Sequence, residues 1–169
     1  MLAPEDFRRV LGHFASGVTV VTTCDAQGRP AGLTASAFTS VSLAPPLILV
    51  CVARNAQSYA ALSASDRFAV NILSSGQEAV SLRFASPPVA ESWEKFEGVA
   101  HKPGTLGLPV LEGALAHLEC SRVHTYPGGD HTIFVGQVEA AGCQSEGSAE
   151  PLLYYRGRYG RLRSQAGIS

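Results

Sequence analysis

The sequence predicts a mainly β protein with a few helices, its strands antiparallel and arranged as a closed or nearly closed barrel. Three observations predict it. β-Branched and aromatic runs recur along the chain, turn residues separate them, and no strand–Gly-x-Gly-x-x-Gly–helix unit is present. A doubly wound parallel sheet needs that glycine-rich loop to bring main-chain amides against a pyrophosphate. A dinucleotide bound here must be held by another geometry.

The elements follow in order. Residues 4–15 place Phe7, Val10, Leu11 and Phe14 on one face at helical spacing, with Pro4 at the start of the helix. Residues 17–24 form a β-branched run, and Asp25 to Pro30 supplies turn chemistry before a second extended segment, which reads as a hairpin. Further strands are expected over 47–53, 68–73, 114–126, 132–141 and 152–156, and helices over 56–64 and 77–85. Pro127, Gly128, Gly129 and Asp130 have the composition of a tight turn between two long strands. Residues 86–107 contain Pro87, Pro88, Pro103 and three glycines, and read either as a lid or as an ordered loop over a sheet edge. Trp93 and Phe96 would anchor that connection by burial. Residues 164–169 are expected to fray.

A length of 169 residues with 46% hydrophobic composition supports one domain, residues 1–169, with a real core. The formal net charge of -1 gives no basic field for a nucleic-acid backbone. No stretch approaches the roughly 20 apolar residues that span a bilayer, and no signal-like segment opens the chain, so a cytoplasmic location is expected. The four cysteines form no C-x-x-C pair and read as reduced, with Cys51, Cys120 and Cys143 behaving as small core hydrophobes. His13, His101, His117 and His124 have no carboxylate or cysteine partner at metal-ligand spacing, so no metal site is assigned.

Small residues and hydroxyls crowd the segment 32–42, which is unusual for a strand. They would let a flat heterocycle lie close to the main chain, with amides and hydroxyls aimed at its ring nitrogens and carbonyls. A hydroxyl-rich edge strand facing water has the same composition. A lone histidine after a turn, such as His131, is by itself an ordinary surface residue. The aromatics and cations of 154–159 could stack on adenine and pair with phosphate, or form a strand with packed tyrosines and solvated arginines.

Several motifs in order change this balance. Thr34-Ala35-Ser36-Ala37-Phe38-Thr39-Ser40-Val41-Ser42-Leu43 is followed by Pro45-Pro46-Leu47 and Cys51-Val52. Ser58, Phe68-Ala69-Val70-Asn71-Ile72-Leu73, Arg83-Phe84, Gly129-Asp130-His131 through Gly136, and Pro151 to Gly157 come after them. Together they resemble the flavin reductase-like, flavin-binding split-barrel family, the small reductase component of two-component flavin-dependent monooxygenases. The resemblance covers nearly the whole chain.

That resemblance implies a split β-barrel that pairs into a homodimer and binds FMN or FAD in a groove near the dimer interface. By motif position, Leu33, Thr34, Ala35, Ser36 and Ala37 with Thr39 and Ser40 would line the isoalloxazine and ribityl chain. Cys51, Val52 and Ala53 would run along the ring through main-chain contacts. Gln57, Ser58, Arg83 and Phe84 would reach the phosphate end, where amides and a guanidinium favour an anion. The loop 53–58 is less hydroxyl-rich than in many members. His131 is the candidate catalytic residue on the nicotinamide side, with Asp130 given only a role in the turn. Tyr155 and Arg158 are weaker candidates on the last strands.

The implied activity is hydride transfer from NADH or NADPH to flavin, with reduced flavin passed to a separate monooxygenase. Such a transfer needs two flat rings stacked at roughly 3 to 3.5 Å, and the cofactors supply the electronic chemistry. Donors on the flavin's pyrimidine side would then stabilise the product without an acid–base pair. A non-enzymatic flavin-binding protein and a split-barrel flavin-dependent oxidase are the alternatives.

Overall fold

A computed structural model describes residues 2–144 and 149–162, so the fraying expected over 164–169 lies outside the described residues. The chain opens with α1 (Pro4–Leu11), which begins on its proline and carries Glu5 and Asp6 in the first turn and Arg8 and Arg9 in the last, complementing the helix dipole. The helix stops four residues short of the expected end. The Gly12 carbonyl accepts a hydrogen bond from the Arg156 main chain at 2.9 Å, which draws the chain away toward β1 (Ser16–Gly17). No residue of α1 is buried.

The body is a seven-stranded antiparallel sheet. In chain order its strands are β2 (Thr19–Cys24), β3 (Pro30–Ala35), β4 (Phe38–Leu43), β5 (Pro46–Ala53), β6 (Arg67–Ile72), β9 (Ala116–Gly128) and β10 (His131–Cys143). Their spatial order is β3-β2-β6-β9-β10-β5-β4. Between these lie α2 (Tyr59–Ala64), α3 (Glu78–Ala85), β7 (His101–Pro103) and β8 (Pro109–Leu111), and β11 (Leu153–Tyr155) and β12 (Arg158–Gly160) follow. β1, β11 and β12 make a small second sheet.

The expected hairpin joins β2 to β3. The Asp25 carboxylate accepts the main-chain N–H groups of Gln27 and Arg29, each at 2.9 Å, and Gly28 takes φ +76° in the turn. The hydroxyl-rich segment is not one continuous strand. It breaks at Ser36–Ala37, and this two-residue link carries the chain from one edge of the large sheet, β3, to the other, β4. The Ala37 carbonyl accepts the Cys51 N–H at 3.0 Å, so the link is held against β5. The sheet therefore curls until its edges nearly meet, which makes it a split barrel.

Val21, Val50, Val52, Phe68, Val70 and Phe134 fill the interior. A second cluster of Val20, Leu73, Phe84, Phe96 and Leu152 lies beneath α3. Gly136 is required in β10, because a Cβ there would lie 2.6 Å from Phe68 Cζ and 2.7 Å from Cys120 Cβ. Of the three cysteines expected in the core, only Cys120 is fully buried, and burial pushes its thiol up to about 12. Cys51 is half-buried because strand alternation turns it to the outer face of β5, and Cys143 ends β10 in solvent.

The connection 86–107 is an ordered cover. It contains a short 3-10 helix (Ser92–Phe96), and the Phe96 ring packs edge-on against Phe84 with centroids 4.8 Å apart. Phe96 is the buried anchor, and Trp93 is half-buried. Further along, the buried Glu119 carboxylate accepts the N–H groups of Thr105 and Leu106, both at 2.7 Å.

Candidate active site

Three cavities run end to end along β3. The first, about 280 Å³, lies among Leu33, Thr34, Ala53, Asn55, Ser58 and Lys95. The second, about 150 Å³, shares Thr34 and Ala85 with the first and adds Ser36, Ser81, Tyr154 and Tyr159. The third, about 810 Å³, shares Ser36 and Tyr154 with the second and opens between α1, His131 and Arg156. Each shares wall residues with the next along β3.

The groove follows β3 because this strand is an edge. Leu33 and Ala35 stand opposite Val21 and Thr19, and the Asp25 N–H continues that ladder to the Arg29 carbonyl at 2.9 Å. Alternation therefore turns the main chains of Gly32 and Thr34 away from β2. The Gly32 carbonyl meets the buried Ser58 hydroxyl at 2.6 Å, and the Thr34 hydroxyl donates to the Ser81 carbonyl at 2.7 Å. The Thr34 main chain thus faces the groove. Gly32 permits the approach of its neighbour, since a Cβ there would lie 3.0 Å from the Val21 oxygen and 3.1 Å from the Phe84 ring.

At the inner end stands a buried cation. Lys95 is 5% exposed, and its Nζ donates to the Ser86 carbonyl at 2.9 Å and, at a long 3.5 Å, to that of Phe84. Among the described residues no carboxylate lies within 4 Å of it. Burial pushes its pKa down from the ordinary lysine value. Arg83 positions this segment, its Nε donating to the Lys95 carbonyl and a terminal nitrogen to that of Glu94, both at 2.7 Å. Gln57 exchanges two hydrogen bonds with the Val89 main chain and closes the rim.

At the outer end His131 opens β10, its main chain opposite Ala53. Its Nδ1 lies 2.7 Å from Asp130 Oδ1, and this contact holds the Asp130 carboxyl below its usual range. The Tyr159 hydroxyl meets Ser81 Oγ at 2.8 Å. Arg156, at φ +51°, reaches His13 Nε2 at 3.1 Å and lines the wide cleft with Arg8. Phe7, Leu11 and Phe14 give that cleft an apolar wall.

Of the expected site residues, Leu33, Thr34, Ser36, Ala53, Gln57, Ser58, Phe84 and His131 line the groove. Ala35 and Val52 instead point into the core, and Thr39 and Ser40 are exposed on β4. Ala37 is exposed at the link, while Cys51 faces outward. Arg83 is occupied by carbonyls, and Tyr155 and Arg158 line a hollow beside β12 that shares Tyr159 with the second cavity and Arg156 with the third. The sequence reading missed Lys95 and Ser81, named Tyr154, Arg156 and Tyr159 only as part of the aromatic and cationic stretch 154–159, and gave Asp130 only the turn. In the short β11 and β12, a shift of one residue moves every side chain to the other face.

An edge main chain at Thr34, hydroxyls beside it, small residues at the link and a cation lacking an anion at one end fit a planar heterocycle carrying a phosphate. The fold and this groove define a split-barrel protein built to hold such a group at a sheet edge. The chain belongs to the flavin reductase family: the model of the flavin reductase like domain matches residues 11–163. It is 40% identical over 156 residues to the flavin-dependent monooxygenase reductase subunit HsaB of Mycobacterium tuberculosis, covering 92% of this chain and 81% of that one. The structure of the Streptomyces globisporus NADH:FAD oxidoreductase SgcE6, in complex with NAD and FAD fragments, superposes with a TM-score of 0.88 at 42% identity, covering 99% of both chains. A putative oxidoreductase of Sinorhizobium meliloti matches with a TM-score of 0.87 at 41% identity, and this chain covers 94% of itself and 53% of that longer one.

Proposed function

We propose that this protein is an NADH-dependent flavin reductase that reduces FMN or FAD and passes the reduced flavin to a separate monooxygenase. One observation carries the proposal: a row of cavities sharing walls along β3 runs from a buried cation at Lys95 to a histidine at an open cleft, with an unpaired strand edge between them. Relatives named as reductases of this kind support it. When bound, the flavin supplies the hydride-accepting ring. The chain's part is to position and exclude. The Thr34 main chain orients the ring edge and can offer a hydrogen bond where negative charge develops. Asp130 fixes the His131 imidazole, whose Nε2 is left for the dinucleotide. Phe7, Leu11 and Phe14 shield the wide cleft from water, and Arg8 and Arg156 offer cations to the dinucleotide's phosphates.

Three further parts of the proposal concern the assembly. The protein acts as a homodimer, supported by exposed apolar side chains at Val41 and Leu43 on β4 and Tyr126 on β9. The 169 residues work as one domain. Its cytoplasmic location is supported by four free cysteines, and no helix among the described residues is long and apolar enough to cross a membrane.

A steady-state assay crossing NADH and NADPH with FMN and FAD tests the activity. Oxidation of NADH that depends on added flavin is expected. A protein that binds flavin tightly and oxidises neither dinucleotide would be a binding module instead.

A further inference from the structure

Arg156 stands in a conformation that its residue type disfavours. With Gly157 it links β11 to β12 between the paired Tyr155 and Arg158, and the two φ angles are +51° and +76°. A two-residue link with both φ angles positive is ordinarily filled by Asn-Gly or Gly-Gly, so an arginine at its first position is strained. Such strain persists only where the surroundings hold it, and two residues just beyond α1 do so. The Gly12 carbonyl accepts the Arg156 main-chain N–H at 2.9 Å, and Arg156 Nη2 donates to His13 Nε2 at 3.1 Å. The Tyr155 ring completes the seat, its centroid 5.8 Å from the guanidinium carbon and 6.4 Å from that of the His13 ring, which it meets edge-on.

A guanidinium only donates, so the His13 contact requires a neutral imidazole with its lone pair on Nε2 and its proton on Nδ1. Among the described residues no carboxylate lies within 4 Å of either side chain, so the charge of Arg156 is left without a counter-ion. One N–H group is used on His13, and the rest remain for the wide cleft that Arg156 lines with Arg8 and His131. His13 is not itself part of that lining.

Resting on the reductase reading above, we propose that His13 is a positioning residue for the hydride donor: it holds the Arg156 guanidinium at the wall of the wide cleft, where the remaining N–H groups meet the phosphates of the dinucleotide. A guanidinium already fixed on one edge loses less rotamer freedom when the anion arrives, so the benefit falls on binding and not on the hydride step.

The test is steady-state reduction of FMN by the wild type, His13→Ala and His13→Gln with two donors: NADH, and 1-benzyl-1,4-dihydronicotinamide, which carries the same reacting ring and no phosphate. His13→Ala is expected to raise KM for NADH by about three- to ten-fold, the worth of one hydrogen bond, with kcat and the KM for the benzyl compound within about two-fold of wild type. His13→Gln, whose side-chain carbonyl still accepts from a guanidinium, is expected to restore most of the wild-type KM for NADH. In the wild type, nitrogen NMR of the imidazole should find the His13 proton on Nδ1, a readout that needs no variant to fold. A KM raised equally for both donors, or a lowered kcat, would make His13 a buttress of α1, and unchanged KM values or a proton on Nε2 would break its link to Arg156. Each of these results overturns the assignment while flavin reduction stands. A wild type that reduces flavin with neither donor overturns the reductase reading, and this proposal with it.

Discussion

Nδ1 of His131 lies 2.7 Å from the carboxylate of Asp130, the residue immediately before it. The ring is thereby fixed at the mouth of the wide cleft with Nε2 left for a ligand. His131→Ala is expected to raise KM for the dinucleotide by about five- to thirty-fold, the worth of one hydrogen bond or stacking contact, and to leave flavin affinity nearly unchanged. Asp130→Asn should raise the same KM by less. Loss of flavin with an unchanged dinucleotide KM would move His131 to the flavin's own contacts.

The same contact has a pH signature. Its hydrogen bond to His131 is the largest of the interactions that hold the Asp130 carboxyl below the usual carboxylate range. The interaction is therefore fully present above the ordinary carboxylate pKa, and it is lost as pH falls through the lowered folded-state value. A carbon NMR titration should find the Asp130 carboxyl below the reference value and returned toward it in His131→Ala. An identical titration in both proteins would show that the contact does not persist in solution.

Neighbouring residues at the end of β3 should respond differently to bulk. Ser36 is exposed where the second and third cavities join, so Ser36→Phe should weaken flavin binding in a protein that melts near the wild-type temperature. Ala35 points into the core at 8% exposure, so Ala35→Phe should destabilise the fold by about 1–3 kcal/mol through overpacking. Thermal melts beside flavin titrations separate the two effects, and a Ser36→Phe protein with full affinity would move the flavin off this edge.

Glu119 provides a test away from the groove. Its buried carboxylate accepts two main-chain N–H groups at 2.7 Å each, and Glu119→Gln puts an amide donor where one acceptor was. A loss of about 1–3 kcal/mol is expected from denaturant unfolding. Hydride transfer measured below the melting transition should remain near wild type.

The fold was largely legible in the residues because its signals are local. Asp25 and Gly28 announce the first hairpin, and the Val-Thr runs announce the strands it joins. The end of α1 was not legible, since the Gly12–Arg156 hydrogen bond that accompanies it spans most of the chain. Thr34, Ser58 and His131, which line the cavities, were singled out from ordered motifs. Arg83 was expected at the phosphate end because it is a cation beside a matching motif, but its guanidinium is satisfied by carbonyls eleven and twelve residues away. Lys95 carries no local sign, because its burial arises only when the cover folds onto Phe84. Within 154–159, Tyr154 and Tyr159 line the second cavity while Tyr155 and Arg158 line the hollow beside β12, a matter of strand parity that only the pairing of β11 with β12 decides.

The strand edge at Thr34 also bears on how the protein behaves when nothing fills the groove. Unpaired main-chain donors and acceptors on an edge strand are a template on which another chain can add a strand. A ligand lying against that edge would mask the template as well as stabilise the native state by mass action. Protein stripped of flavin is thus expected to self-associate into aggregates sooner than the loaded form, and excess flavin during expression or storage should suppress that loss.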